Sequence, residues 1–189
     1  MKMTREIEIS FMVEEPKEHA LRKLHGFVNK GTQRITDIYL RHPQLKQFEP
    51  KHGYDISESF RLRKKNGKAF VTWKRNHMDG KMWQYADEEE TEVTSFDDMF
   101  KLLTSLGFEE LVRVENERHV FTNDAYEIVL DDVVGLGLLL EVESQEPGER
   151  ASTDVMDEIR AFVKSTGLLV GDELHFGKPE LLLKKQSTQ

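Results

Sequence analysis

The chain has 189 residues, of which 38% are hydrophobic and 33% are charged, and its formal net charge is −8 at pH 7. This length fits one domain with a single core. The absence of cysteine excludes disulfides, zinc–thiolate sites, iron–sulfur clusters and cysteine nucleophiles. Net acidity argues against general nucleic-acid binding, and no apolar run is long enough for a membrane helix. We therefore expect a cytoplasmic protein with no nucleic-acid partner and no membrane partner.

Capping residues and helical spacing predict three helices. The first covers residues 16–24, the second begins at Ser95 and ends at Gly107, and the third begins near Ser152 or Thr153 and ends at Gly167. Each has an amphipathic pattern, so each should pack one face against a core.

Alternating polar and apolar residues predict strands between these helices. They cover residues 5–13, 60–65, 70–74, 83–93, 112–121, 126–131 and 138–144. The pairs Asn66-Gly67 and Asp79-Gly80 are typical of tight hairpin turns. Together these patterns predict an α+β domain of about eight strands and three helices.

The polar faces of these strands are unusual because each carries charges of one sign. Acids occupy some strands (Glu6 and Glu8; Glu88, Glu90 and Glu92; Asp131; Glu141 and Glu143), and bases occupy others (Arg61 and Arg63; Lys74). A solvated face is the simplest interpretation of any single strand, but a face that serves solubility more often mixes signs. Carboxylate oxygens suit Mg²⁺ or Mn²⁺, and arginine forks match phosphate oxygens. The whole set therefore favours a site for a metal ion and a phosphate chain.

Ordered motifs give the chain a resemblance to the CYTH family, which contains class IV adenylate cyclases, thiamine triphosphatases and related tripolyphosphatases. The matching segments are the E-x-E of Glu6 and Glu8, residues 36–40, 60–63, 71–74 and 105–108, Arg118, and residues 130–143. The resemblance extends over about residues 5–183. We therefore expect a CYTH domain over residues 1–183 and a C-terminal tail over residues 184–189.

The resemblance implies a triphosphate tunnel, which is an eight-stranded antiparallel β-barrel with flanking helices. It implies phosphate binding by Arg61, Arg63, Lys74 and Arg118. It implies binding of Mg²⁺ or Mn²⁺ by Glu6, Glu8, Glu90, Asp131, Glu141 and Glu143. The catalytic candidates are Glu8, Glu141 and Lys74, with a carboxylate activating water.

Three positions depart from the family pattern. Ser10 stands in place of the signature lysine, Asn116 in place of a lysine two residues before Arg118, and Phe176-Gly177 in place of a C-terminal Ser-Tyr. Two cations are thereby lost from the phosphate side, so either the substrate differs from the usual one or turnover is reduced.

The expected partner is a small molecule containing a triphosphate: tripolyphosphate, thiamine triphosphate or ATP. Hydrolysis of such a triphosphate is the favoured activity, because nothing in the sequence specifies adenine. The alternatives are a class IV-type adenylate cyclase, which converts ATP to cyclic AMP and pyrophosphate, and a polyphosphate- or nucleotide-binding module with little turnover. The substrate, the preferred metal and the formation of a homodimer stay open.

Crowding of like charges in such a channel has an energetic consequence. Poorly solvated ions of one sign are costly to bring together. From the sequence we therefore expect glutamine at Glu8 or Glu141 to raise the melting temperature of the metal-free protein.

Overall fold

A computed structural model describes residues 4–79, 82–145, 148 and 150–187, with side chains for residues 7–77, 85–145, 148 and 150–187. Over these residues the chain forms one ten-stranded antiparallel sheet and four helices. The strands are β1 (Thr4–Glu6), β2 (Glu8–Val13), β3 (Val28–Arg41), β4 (Glu58–Lys65), β5 (Lys68–Asp79), β6 (Met82–Val93), β7 (Glu109–Thr122), β8 (Tyr126–Val133), β9 (Gly137–Ser144) and β10 (Val170–Leu174). The helices are α1 (Lys17–Leu24), α2 (Phe96–Ser105), α3 (Ser152–Thr166) and α4 (Lys178–Gln186), and a single 3₁₀ turn covers Lys46–Phe48.

The order of the strands places one short segment of chain at one end of the sheet and next to its other end. The order is β1-β6-β5-β4-β3-β7-β8-β9-β2-β10. Only Ile7 separates β1 from β2, yet β1 pairs with β6 and β2 pairs with β9. Residues 4–13 therefore connect opposite sides of the sheet, and covalent continuity completes the ring.

The α+β fold with an antiparallel sheet and flanking helices is confirmed, but the eight-stranded barrel is wrong in two details. Over the described residues the hydrogen-bonded ladder is open, because its two end strands, β1 and β10, do not pair with each other. Three differences turn the seven predicted ranges into ten strands. The strand over residues 5–13 divides at Ile7, β3 was indicated only by the motif at residues 36–40, and Val170–Leu174 pairs with β2. The Asp79-Gly80 turn lies partly outside the described residues, although Asp79 pairs with Met82 as a hairpin requires.

The convex face of the sheet carries the main core. Every second side chain of β2 is buried there, and these residues pack with α1 and α3. Helix α2 places Leu103 against Ile38 and Leu62 of β3 and β4. Ser95 caps α2 by accepting a hydrogen bond from the N–H of Asp98 at 3.2 Å, and Gly167 ends α3 with a φ of 71°. These caps lie where the sequence predicts them.

Helix α4 lies on the other face of the sheet. Leu182 and Leu183 pack with Val114, Val133 and Leu139. Each of these three strand residues lies two positions from Asn116, Asp131 or Glu141 on the same strand. Residues two apart in a strand share a face, so α4 covers the concave face that carries the charged side chains. The helix also continues to Gln186, into the residues expected to form the tail. No helix in the described part of the chain has the length and apolarity to cross a bilayer.

Candidate functional site

The sheet curls until strands far apart in its order touch through their charged side chains. Lys74 on β5 lies 3.6 Å from Glu8 on β2, measured between Nζ and Oε1, and 3.7 Å from Glu88 on β6. Six steps in the strand order separate β5 from β2 along the ladder. A contact of this length across the concave face shows that the sheet wraps around a charged interior.

An arginine pair forms one side of this interior, around a buried aspartate. Arg63 binds Asp37 through two hydrogen bonds, from Nε to Oδ1 at 2.7 Å and from Nη2 to Oδ2 at 2.8 Å. Arg61 Nη1 lies 3.7 Å from Asp37 Oδ2. Burial alone would raise the pKa of Asp37, but Arg61 and Arg63 outweigh it and hold this pKa below its ordinary value.

The contacts of Arg61 are long compared with those of Arg63. Arg61 is 8% exposed, and its Nη2 donates to Thr72 Oγ1 at 3.3 Å. Glu88 and Glu90 lie 3.7 and 3.6 Å from Nη2. Burial disfavours the charged guanidinium, yet the attraction of Asp37 and Glu88 raises the pKa of Arg61 above its ordinary value. Among the described residues, no acceptor reaches the buried Nε of Arg61, so this donor is available to a further acceptor.

A second group of side chains, which we call the Asp131 cluster, forms the opposite side of the interior. It consists of Asn116, Arg118, Asp131, Glu141 and Lys178. Arg118 donates to Asp131 Oδ1 and Oδ2 at 3.0 and 2.7 Å and to Glu141 Oε2 at 3.0 Å. Lys178, the first residue of α4, donates to Asp131 Oδ2 at 2.8 Å and to Glu141 Oε1. Asn116 Nδ2 donates to Asp131 Oδ1 at 2.6 Å.

Asp131 is the most completely bonded of these acids. It is 0% exposed, and its two oxygens accept four hydrogen bonds, which equals the acceptor capacity of a carboxylate. Burial would raise its pKa, but Lys178 and Arg118 outweigh burial and lower this pKa to about 2. Asp131 is therefore an ionised anchor for two cations. Arg118 also helps to lower the pKa of Asp37, so the two sides of the interior interact.

The structure brings the four predicted phosphate-binding cations into one interior, but it arranges the predicted metal ligands differently. The side chain of Glu6 lies outside the described side chains. Glu8 is directly opposite Glu143 on neighbouring strands, and Glu90 accepts a hydrogen bond from Thr72 at 2.8 Å. Asp131 and Glu141 bind arginine and lysine. Within the described residues, no three aspartate, glutamate or histidine side chains surround a common point. This arrangement does not fit a ready-made divalent site.

Several interior residues were not selected from the sequence. Asp37 lies in the matched segment 36–40, but a single acid between Thr36 and Ile38 gave no signal of its role. Glu88 belongs to the acidic strand, where Glu90 was selected instead; both lie near Arg61. Lys178 belongs to no predicted strand, and only the packing of α4 on the concave face reveals its position.

Comparison with known proteins identifies the family. The model of the CYTH domain matches residues 4–175. The chain belongs to the CYTH family. The match includes the strands that carry Arg61, Lys74, Arg118 and Asp131, whereas Lys178 lies just beyond it.

Relatives of this CYTH chain are described in terms of two activities. A curated protein of Methanocaldococcus jannaschii, named "putative adenylate cyclase", is 28% identical to this chain over 114 residues. The aligned part is 60% of this chain and 65% of that protein, so the chain spans just under two thirds of its relative. A structure of a "putative adenylate cyclase" from Vibrio parahaemolyticus has a TM-score of 0.75 at 20% identity and covers 96% of this chain and 99% of its own.

A structure from Hippeastrum shares the fold at lower similarity. Its TM-score is 0.64 at 16% identity, with 97% of this chain and 96% of that chain covered. That protein is described as a putative adenylyl cyclase that reveals a dominant triphosphatase activity. At these identities, both structures support the fold alone.

Proposed function

We propose that this CYTH chain binds a small triphosphate in the charged interior and hydrolyses it. The observation that supports this most directly is Arg61, a buried cation whose Nε has no acceptor among the described residues. A phosphate oxygen would satisfy this donor. The contacts of Lys74 with Glu8 and Glu88, and of Arg61 Nη2 with Glu88 and Glu90, are long, at 3.6–3.7 Å. Incoming phosphate oxygens can therefore compete with these acids for the two cations.

Hydrolysis needs a nucleophilic water and stabilisation of the leaving group. Glu8 is our proposed base because its side chain is 31% exposed and its Oε1 lies as far as 3.6 Å from Lys74 Nζ. In the reaction, the water oxygen bonds to the terminal phosphorus, its proton passes to Glu8, and the bond to the bridging oxygen breaks. Arg61, Arg63 and Arg118 offset the charge that develops on the leaving phosphate. Glu141 is held by two cations, so its contribution is to keep Arg118 and Lys178 in place.

The side chains that the structure describes do not form a divalent site in this arrangement, so no step is assigned to a metal ion. Dependence on Mg²⁺ or Mn²⁺ stays a prediction from the family resemblance. It is tested by removing divalent ions with EDTA and restoring each one separately.

Cyclisation of ATP is the second candidate, supported by the names of the M. jannaschii and V. parahaemolyticus proteins. In that reaction the 3′-hydroxyl attacks the α-phosphorus and pyrophosphate leaves. We would distinguish the activities by incubating the chain with tripolyphosphate, thiamine triphosphate and ATP, each with Mg²⁺ and with Mn²⁺. Orthophosphate supports hydrolysis, cyclic AMP with pyrophosphate supports cyclisation, and tight binding without any product supports a binding module.

Replacement of the buried arginine tests the site itself. We expect Arg61→Met to weaken tripolyphosphate binding by roughly 100-fold, because a charge-assisted contact contributes about 1.5–3 kcal/mol. Isothermal titration calorimetry measures the loss. Arg113→Met is the matched control, because Arg113 pairs with Glu110 on the exposed face. Equal affinity in the parent and Arg61→Met would contradict the proposed site.

A further inference from the structure

Helix α4 holds the ammonium of Lys178 inside the Asp131 cluster by means of several separate contacts. Leu182 and Leu183 pack on the concave face. The Glu180 carboxylate accepts the N–H of Ile56 at 3.0 Å and the N–H of Gly177 at 2.6 Å, which fixes the start of the helix. The side chain of Lys178 is 11% exposed. The helix is therefore docked by contacts that do not involve the ammonium.

The ammonium lies against the two acids that a metal ion would be expected to use. It donates to Asp131 Oδ2 and Glu141 Oε1. On the neighbouring strands the uncharged Ser10 is opposite Glu141, and the uncharged Asn116 donates to Asp131. A divalent ion would need the same oxygen lone pairs and would meet a like charge at contact distance.

We propose that Lys178 is an internal competitor for divalent metal: its ammonium and Mg²⁺ or Mn²⁺ bind Asp131 and Glu141 in mutually exclusive ways. The choice of metal comes from the family resemblance, and the proposal does not depend on the proposed hydrolysis. It explains why the described acids form ion pairs and not a metal site. Removal of the ammonium leaves the carboxylates of Asp131 and Glu141 with Arg118 as their remaining cationic partner. A divalent ion can then bind the oxygen lone pairs that Lys178 occupied.

The test is a calorimetric titration of the full chain with Mn²⁺ in the absence of any phosphate compound. We expect Lys178→Met to bind Mn²⁺ about tenfold more tightly than the parent, since a unit charge at contact distance is removed. Lys178→Arg keeps the charge and should bind as the parent does. Lys185→Met is the matched control: it removes a lysine from the same helix, where Lys185 donates to the backbone oxygen of Gly135.

Three results would overturn the proposal. They are unchanged affinity in Lys178→Met, equal tightening in Lys178→Met and Lys185→Met, and the same tightening in Lys178→Arg. If Lys178→Met fails to fold, the parent chain labelled with ¹³C-lysine provides a second measurement. Saturating Mg²⁺ should then shift the Lys178 Cε resonance and leave that of Lys185 unchanged; an unshifted Lys178 would overturn the proposal.

This outcome is independent of the proposed function, because the titration contains no substrate. A chain without triphosphatase activity can still show the effect of Lys178 on metal affinity. A chain with triphosphatase activity can equally show no such effect. Turnover of tripolyphosphate, measured separately for the parent, separates these cases.

Discussion

At the scale of single residues, the interior depends on Asp37, which contacts two arginines at once. Its carboxylate accepts two hydrogen bonds from Arg63 and lies 3.7 Å from Arg61. A buried cation that loses its partner is strongly destabilising. Asp37 is therefore a positioning residue, which keeps two guanidinium groups together before any substrate arrives.

Replacement of Asp37 should make the protein depend on its ligand for stability. We expect Asp37→Asn to lower the free energy of unfolding by about 3 kcal/mol without ligand. Tripolyphosphate should then raise the melting temperature more in the variant than in the parent, because the bound anion restores the missing charge. Differential scanning calorimetry with and without tripolyphosphate measures both effects. Asp132→Asn, which removes an exposed partner of Lys17, is the control. If tripolyphosphate raised the melting temperature less in Asp37→Asn than in the parent, the positioning role of Asp37 would be contradicted.

At the scale of elements, α4 contains a titratable contact that fastens it to the segment between β3 and β4. Glu180 accepts backbone N–H groups of Ile56 and Gly177, and Asp55 and Lys74 are the charged groups that act on it. Burial raises the pKa of Glu180 to about 7, although the two backbone hydrogen bonds oppose this rise. The docking of α4 should therefore respond to pH near neutrality.

The sign of this response follows from the two states of the chain. The pKa of Glu180 is about 7 in the folded chain and about 4.3 in an unfolded one, so folding favours the protonated form. Its contribution to stability is full below about pH 4 and is lost as the pH rises through 7. Between pH 5 and pH 8, we expect the free energy of unfolding to fall by about 2 kcal/mol more in the parent than in Glu180→Gln, measured by urea denaturation. Parallel pH profiles for the two proteins would refute the raised pKa.

The element scale also shows what the sequence could and could not predict. Local signals such as the Ser95 cap, the Gly167 terminus and the alternation in β2 are set by neighbouring residues, so three helices and most strands could be predicted. Their partners are set by tertiary packing. The sequence therefore could not show that α4 covers the concave face, or that Lys178 reaches Asp131 from a helix. Single-sign strands did indicate a shared charged face, but not the pairing within it.

At the scale of the whole molecule, the interior is a set of alternating ion pairs and not an acidic side facing a basic side. Asp37 and Glu88 accompany Arg61, and Asp131 and Glu141 accompany Arg118 and Lys178. The sequence-based expectation was that glutamine at Glu141 raises the melting temperature. For Glu141 we now expect the opposite, because its removal leaves the charges of Arg118 and Lys178 less fully compensated.

Glutamine variants of Glu141 and Glu8 compare an acid that is ion-paired with two mostly buried cations and an acid with a long ion pair. Without metal, we expect Glu141→Gln to lower the melting temperature by about 5 °C, which corresponds to a loss of about 2 kcal/mol in a chain of this size. Glu8→Gln should change it by about 1 °C or less, since the Glu8 side chain is 31% exposed and its Oε1 lies 3.6 Å from Lys74 Nζ. Differential scanning fluorimetry in EDTA measures both; a higher melting temperature in Glu141→Gln would restore the original expectation.

The division of the first strand at Ile7 has a consequence for how the molecule is assembled. Thr4 must find Glu88 near the middle of the chain, and Glu8 must find Glu143 in its last quarter. Pairings between such distant positions form slowly, because loop-closure entropy is lost before the contacts are gained. During synthesis on the ribosome, the first strand must therefore wait for most of the chain to emerge, and closure of the ring is expected to be a late event in folding.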